Sequence, residues 1–383
     1  MPIAIDTVQL GQEIEKAAYN FTSITNGFHV PYRAFRQATI NNNGLVVFEA
    51  FFTAEAPPAA ILAGDGVGLT TIADKPSTGA DIVFIPSLNL DGVVSFTGNQ
   101  FGPGIGAPPA ASGIFTNSDG NFTTVADRST SSGPFGNFLF LGGSDINDVK
   151  DVAFLGITNQ SEVGIFIADG GEIVPIAVTS GEFDSFEKQI NTVGGDGPIT
   201  GVYPFLAFNN TGNVFFTASL DSGERGIFSS GEANEAIVDS KGVFDLFGSP
   251  SVNDNGAVAF LAQLDNHEAG IFTIDTNAIL TTVATTEGPF SAFLSDPSIS
   301  PDGKVAFQAR LDDGSEGIFV GSDPRTGKVI GVGDVVAGST VTQLFFTGRE
   351  AFNGLGQIAF GATLANGTNG IFRADPISSG LSC

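Results

Sequence analysis

The sequence predicts an all-β protein, a seven-bladed β-propeller of four-stranded antiparallel blades. Three observations predict it. A strand motif returns seven times, a second strand motif follows each copy, and material at the two ends of the chain complements one incomplete repeat. The first motif is a turn of Asn, Asp or Gly followed by a β-branched residue, any residue, Phe, any residue and a small residue. Its copies include Val46-Val47-Phe48-Glu49-Ala50, Val152-Ala153-Phe154-Leu155-Gly156, Val258-Ala259-Phe260-Leu261-Ala262 and Ile358-Ala359-Phe360-Gly361-Ala362. The motif Phe positions are 48, 96, 154, 216, 260, 307 and 360, spaced by 48, 58, 62, 44, 47 and 53 residues. The period-two alternation reads as a strand. Four short strands in a repeat of this length are the pattern of a propeller blade.

The lead-in turns have a mechanism. In Asn253-Asp254-Asn255-Gly256 and Ser300-Pro301-Asp302-Gly303, Gly supplies a positive φ and Asn or Asp bonds its own backbone. The second strand is Gly-Ile-Phe, beginning at Gly113, Gly164, Gly226, Gly270, Gly317 and Gly370, with Ala60-Ile61-Leu62 as the looser first copy. A third strand follows a polar turn, as in Val174-Pro175-Ile176-Ala177. A fourth leads into the next turn, as in Phe244-Asp245-Leu246-Phe247. The small residues of the first motif place it innermost, where blades crowd around the axis. Its Phe then fills the gap between blades.

The ends predict a closed ring. Residues 1–36 read as closing strands, about 37 to 375 as seven repeats and 376–383 as a tail, all in one domain spanning 1–383. The stretches Ile3–Val8 and Tyr19–Ile24 are expected to complete the last blade as a two-plus-two split, removing an open sheet edge.

Composition bounds the function. The chain has 383 residues, 51 Gly, 36 Phe, no Trp, two His, one Cys and a net charge of −26. That charge repels phosphate backbones and anionic lipid, so nucleic acid is excluded as a partner. No apolar run approaches the roughly 18 residues that would insert in a membrane. A lone Cys383 makes no intrachain disulfide. Two distant histidines, His29 and His267, support neither a Ser-His-Asp triad nor a zinc site.

The turn-plus-strand unit Asn253-Asp254-Asn255-Gly256-Ala257-Val258-Ala259-Phe260 resembles bacterial tandem-repeat proteins marked Asn-x-x-Gly-x-x-Ala-Phe. Asn353 to Phe360 matches equally well. Ser300-Pro301-Asp302-Gly303-Lys304 also resembles the propeller repeats of TolB-like proteins. The resemblance implies a propeller, implies no known chemistry, and implies export. Met1-Pro2-Ile3 begins no recognisable signal peptide, and the last residues form no recognisable anchor, so the cytoplasm stands as the alternative to an extracellular or cell-surface location.

Three functional expectations follow. The first is a non-catalytic binding or assembly module for a protein or polysaccharide at the cell surface. The second is a carbohydrate-active hydrolase or lyase using loop carboxylates. The third is a structural subunit of a homo-oligomer or larger assembly. No catalytic or organic cofactor residues stand out. Calcium is the ligand that the oxygen-rich turns best suit, with Asp91, Asp254 and Asp302 in equivalent turns and Asp145, Asp148 and Asp151 near the third blade as its candidate ligands; a purely turn-shaping role for the same residues stands beside it. Two insertions, Gln100 to Ser112 and Thr179 to Val202, break the repeat rhythm. Their Phe101, Ile105, Phe183 and Phe186 are the expected partner contacts.

Overall fold

A computed structural model describes residues 19–25, 34–52, 60–74, 81–99, 112–186, 190, 206–231 and 236–377. Their strands form seven antiparallel sheets, one per blade. Blade 5 shows the plan. Phe244–Phe247 and Ser251–Val252 pair along one edge of Val258–Leu264, which is followed by Ala269–Ile274 and Leu280–Thr285. Seven apolar clusters fill the seven gaps between blades. The last of them joins Ala359 and Ile371 of blade 7 to Val46 and Phe48 of blade 1, so the ring is closed.

The strand order corrects one expectation. The strand before each motif strand, not the motif strand itself, is innermost. These inner strands end at Ile40, Leu88, Ile146, Phe208, Val252 and Ile299, and all six residues line one axial cavity. The small residue of the motif has a different cause. It pairs directly with the Gly of Gly-Ile-Phe, as in Gly156 with Gly164 and Ala262 with Gly270. A Cβ on Gly156 would meet the Phe138 ring at 2.6 Å, and one on Gly270 would meet the Phe272 ring at 2.7 Å. The small pair therefore makes room for aromatic rings.

Those rings build the core. Phe260 and Phe272 face each other across the strands with centroids 5.8 Å apart, and Phe244 meets each of them edge-on. The same arrangement joins Phe138, Phe154 and Phe166 in blade 3 and Phe290, Phe307 and Phe319 in blade 6. Offset and edge-to-face rings at these separations add to the burial of their area. Phe183 and Phe186 belong to this core and not to a partner surface. They are 1% and 4% exposed and pack on Phe216, because the start of the insertion supplies the inner edge of blade 4. Phe101 and Ile105 lie outside the described residues.

Closure is three-plus-one. Blade 7 takes Ser339–Phe345, Ile358–Leu364 and Asn369–Pro376 from the C-terminal side, and Tyr19–Ser23 adds the outer strand against Asn369–Pro376. The two-plus-two split fails because Ser339–Phe345, from the C-terminal side, already supplies the inner strand of blade 7 and leaves the outer place for Tyr19–Ser23. Ile3–Val8 lies outside the described residues.

Candidate functional site at the axial cavity

The lead-in turns of all seven blades meet at one end of the axis. Their first residues are Asn41, Asn89, Asn147, Asn209, Asn253, Ser300 and Asn353. In each turn the backbone N–H three residues on bonds back to this residue's carbonyl. The residue there has a positive φ in every blade, Gly in six and Lys150 in blade 3. The Asn side chain shapes the turn, accepting for example from Asn255 and Ala257 N–H at Asn253 Oδ1. Its Nδ2 reaches the next blade. Asn41 donates to Asn89 O, Asn89 to Asn147 O, Asn253 to Ser300 O, and Asn353 to Asn41 O at 2.8 Å across the ring junction. One Asn thus folds its turn and latches its neighbour.

The belt changes between blades 3 and 5. Asn147 Nδ2 turns to Asp151, and Asn209 Nδ2 is buried without a partner. Here a second belt, one residue outward, takes over. Asp148 accepts from Leu90 N–H, Asn210 accepts from Asp148 N–H, and Asp254 accepts from Asn210 N–H. Asn210 Nδ2 also donates to both Asp148 and Asp254, at 2.7 and 3.0 Å.

The six aspartates expected to bind calcium are each engaged by protein groups. Asp148 and Asp254 hold the second belt. Asp91 pairs with Lys150 at 3.6 Å, and Asp302 takes Lys304 Nζ and Ser300 Oγ. Asp151 accepts from Asn147 and lies near Asp169; burial, first, and that carboxylate raise its pKa. Among the described residues no three His, Cys, Asp or Glu side chains are grouped to hold a metal ion.

Asp145 belongs to a different arrangement, deeper along the axis. The cavity there has a volume of about 140 Å³. Asp145 Oδ1 accepts from Ser87 Oγ at 2.6 Å, from Ile146 N–H at 2.9 Å and from the Arg349 guanidinium at 3.0 Å; Oδ2 accepts from Phe208 N–H at 2.9 Å. Arg349 also donates to Ser144 O, spanning from the segment before blade 7 to blade 3. Glu350 completes the cluster, accepting from Ser87 Oγ at 3.2 Å. Two carboxyls thus share one hydroxyl, and one of them, Asp145, pairs with the Arg349 guanidinium. Burial pushes the Glu350 carboxyl well above the ordinary glutamate range, Asp145 pushes it the same way, and Arg349 opposes them. Like charges held this close cannot both ionise without cost.

The backbone at this point is unusual. In blades 4 to 6 the chain enters the lead-in turn through short inner bridges, Ala207–Phe208, Ser251–Val252 and Ser298–Ile299. Before blade 7 the bridge shrinks to Phe352 with Ile358, and a 3-10 turn, Arg349–Ala351, precedes it, with Arg349 at φ +47°. A long side chain in the left-handed region is strained and persists only where the surroundings hold it. Gly348 makes the approach feasible, since a Cβ there would strike Asp296 O at 2.3 Å. Ser298 Oγ, in blade 6, bonds the Arg349 carbonyl.

Comparison with known proteins places the sequence. A family of unknown function, DUF7453, matches residues 22–292. The chain belongs to that family. No curated protein matches it. Among solved structures, a prolyl endopeptidase aligns with TM-score 0.51 at 11% identity, over 89% of this chain and 47% of its own. A putative TolB from Agrobacterium tumefaciens aligns with TM-score 0.42 at 13% identity, over 70% of this chain and 88% of its own. The peptidase match shows the propeller fold alone. This DUF7453 chain spans less than half of that peptidase.

Sequence reasoning found Asp145 but missed Arg349 and Glu350. They lie in an irregular segment that copies no other repeat. The available signal was two adjacent charges, Arg349-Glu350, where the residues at the same distance before the lead-in turn are Ser249-Pro250 in blade 5 and Asp296-Pro297 in blade 6.

Proposed function

We propose that this protein is a non-catalytic binding module that engages its ligand at the axial mouth, and that it acts outside the cell or at its surface. One observation carries the reading. The repeat scaffold is interrupted at one inner segment, and that segment sets a buried, charged Arg349–Glu350–Asp145 cluster on strained backbone beside the cavity where all seven blades meet. A scaffold needs no such cluster, because burying charge costs several kcal/mol per ion before pairing offsets it. Ligand sites are concave and favour places where several elements converge, such as the mouths of β-barrels. The resemblance of the turns to exported tandem repeats supports the location.

The test is a screen of polysaccharides and peptides against wild type and an Arg349→Lys variant with an intact melting transition. Binding that weakens at least tenfold in the variant supports the reading. Binding untouched by the substitution moves the ligand site elsewhere on the ring.

A second reading has one observation behind it. The raised Glu350 carboxyl beside Asp145 has the form of an acid–base pair. Against it, both Asp145 oxygens are already filled by donors. Hydrolysis of a glycan by the wild type, abolished by Glu350→Gln, would establish this reading in place of the first.

A further inference from the structure

The outer strand of each propeller blade has an unpaired edge, and propellers keep such edges short and protected. Among the described residues, five of the seven edges are closed. In blade 3 Pro175, on the outer strand Glu172–Val178, stands opposite Phe166. In blade 6 Lys328 stands opposite Phe319, at the same register position. Pro and Lys both blunt an edge. The outer strand of blade 4, Ala236–Asp239, is four residues long. In blade 1 the Ile72 carbonyl of the outer strand accepts from Asn117 Nδ2 of blade 2 at 2.8 Å. In blade 7 the Gly66 turn of blade 1 lies so close over Thr22 that a Cβ there would strike its methyl group.

Blades 2 and 5 differ. Their outer strands, Asn121–Asp127 and Leu280–Thr285, put Thr124 and Thr282 where blade 3 has Pro and blade 6 has Lys. The ladder fixes which groups are free. Asp275 N–H donates to Ile279 O across the hairpin, and antiparallel pairing alternates from there, so Leu280 and Thr282 turn N–H and C=O away from Ala269–Ile274. Phe122 and Thr124 hold the matching positions, opposite Asn117 and Phe115. Pro175 agrees with this direction, since a residue without an N–H leaves the ladder intact only where its nitrogen faces outward. No hydrogen bond outside the ladder reaches any of these four residues. Their side chains are open as well. Phe122 is 41% and Leu280 44% exposed, and Thr124 and Thr282 are exposed beside them.

A row of free N–H and C=O groups takes another strand. Which strand follows from the sequence. Phe122-Thr123-Thr124-Val125-Ala126 and Leu280-Thr281-Thr282-Val283-Ala284 differ at one position and carry no charge. Laid antiparallel, Phe122 meets Thr282 and Thr124 meets Leu280. Each such pair exchanges both of its backbone hydrogen bonds, and each sets a large apolar side chain against a Thr across the strands. A strongly charged strand would find no counter-charge on either edge. Blades 2 and 5 lie three apart in a ring of seven, nearly on opposite sides. A contact at each therefore joins copies into an open row rather than a closed pair.

We propose that copies of this protein join head to tail, the blade 2 edge of one pairing antiparallel with the blade 5 edge of the next. The contact lies on the outer wall and is independent of the axial mouth. It is one short strand pair, so it forms at high protein concentration. The net charge of −26 repels the copies, and salt screens that repulsion. The experiment is analytical ultracentrifugation of the full chain over a concentration series, at about 0.05 M and about 0.5 M salt. In the higher salt the average mass should rise to at least twice that of the monomer, and in the lower salt it should fall back toward the monomer. Thr124→Pro and Thr282→Pro should each remain monomeric, and an equal mixture of the two should restore dimers, because each keeps the edge that the other lacks. Pro175 shows that the blade accepts Pro at this position, and melting curves confirm folding. Should a Pro variant fail to fold, Thr124→Lys and Thr282→Lys, after the pattern of Lys328, take its place. Self-association of either single variant at the wild-type level would overturn the head-to-tail pairing. A wild type that stays monomeric in both salts would overturn it too and leave the two edges to a foreign strand.

Discussion

Blade 5 and the junction before blade 7 are built from the same kind of sequence and do opposite things. Blade 5 follows the repeat closely. Its inner segment is short and neutral, its Asn253 latches blade 6, and Phe244, Phe260 and Phe272 fill its core. The junction keeps the latch, through Asn353, but replaces the neutral segment with Gly348-Arg349-Glu350 on left-handed backbone. The repeated parts encode the scaffold, and the departure from repetition encodes the site.

The comparison can be broken most forcefully on its scaffold side. Phe260→Ala removes a fully buried ring that touches Phe244, Phe247 and Phe272. We expect a loss of about 3–5 kcal/mol in urea unfolding. A loss under about 1 kcal/mol would mean that the Phe stack is not what joins blade 5 to blade 4. Next is Arg349→Met. It strips the Arg349 guanidinium from Asp145 and its neighbour Glu350, and breaking such a buried ion pair costs roughly 3 kcal/mol. Here the double variant Arg349→Met with Glu350→Gln should recover part of that loss. Failure to recover any would show that Arg349 works by packing and not by charge.

A third expectation concerns a polar exception inside the scaffold. Glu49 is 4% exposed and faces Arg36 across the strands of blade 1. Burial raises its pKa to about 8, against the opposing pull of Arg36. A carboxyl raised in the folded state is stabilising in its protonated form, so its contribution is present at acid pH and is lost as pH rises toward 8. Between pH 6 and pH 8 this amounts to roughly 2.5 kcal/mol. Glu49→Gln should flatten that part of the stability profile, and an unchanged slope would place the titrating group elsewhere. The smallest effect belongs to the latches. Asn353→Ala should cost about 1–2 kcal/mol, because it frees a buried carbonyl at the ring junction. Asn147→Ala should cost less, since the Asn147 amide bonds only within its own turn.

Most of the fold was legible because it is written seven times. The Phe spacing, the Gly of the turns and the Gly-Ile-Phe strands all reappear as inter-blade packing. The inner strand was misplaced because its sequence is the least regular of the four, running from Phe138–Ile146 in blade 3 to two-residue bridges in blades 4 to 6. Sequence also read Phe183 and Phe186 as surface residues of an insertion, whereas the insertion begins by supplying an inner edge. At the site, Asp145 was visible as a carboxylate but its partners were not. Ser87, Arg349 and Glu350 come from points 58, 204 and 205 residues away along the chain, and only ring closure brings them together. Asp148 and Asp254 looked like ligands because Asn and Asp serve turns, latches and cations with the same oxygens.

The charged cluster at the interrupted repeat is tested most directly by a carboxyl-carbon NMR titration of Glu350, assigned with Glu350→Gln. If the cluster is buried as described, Glu350 titrates well above the ordinary glutamate value of 4.5 and returns toward it when Asp145 is replaced by Asn. A midpoint near 4.5 in the wild type would mean that water fills the cavity floor and that the break in the repeat builds no site.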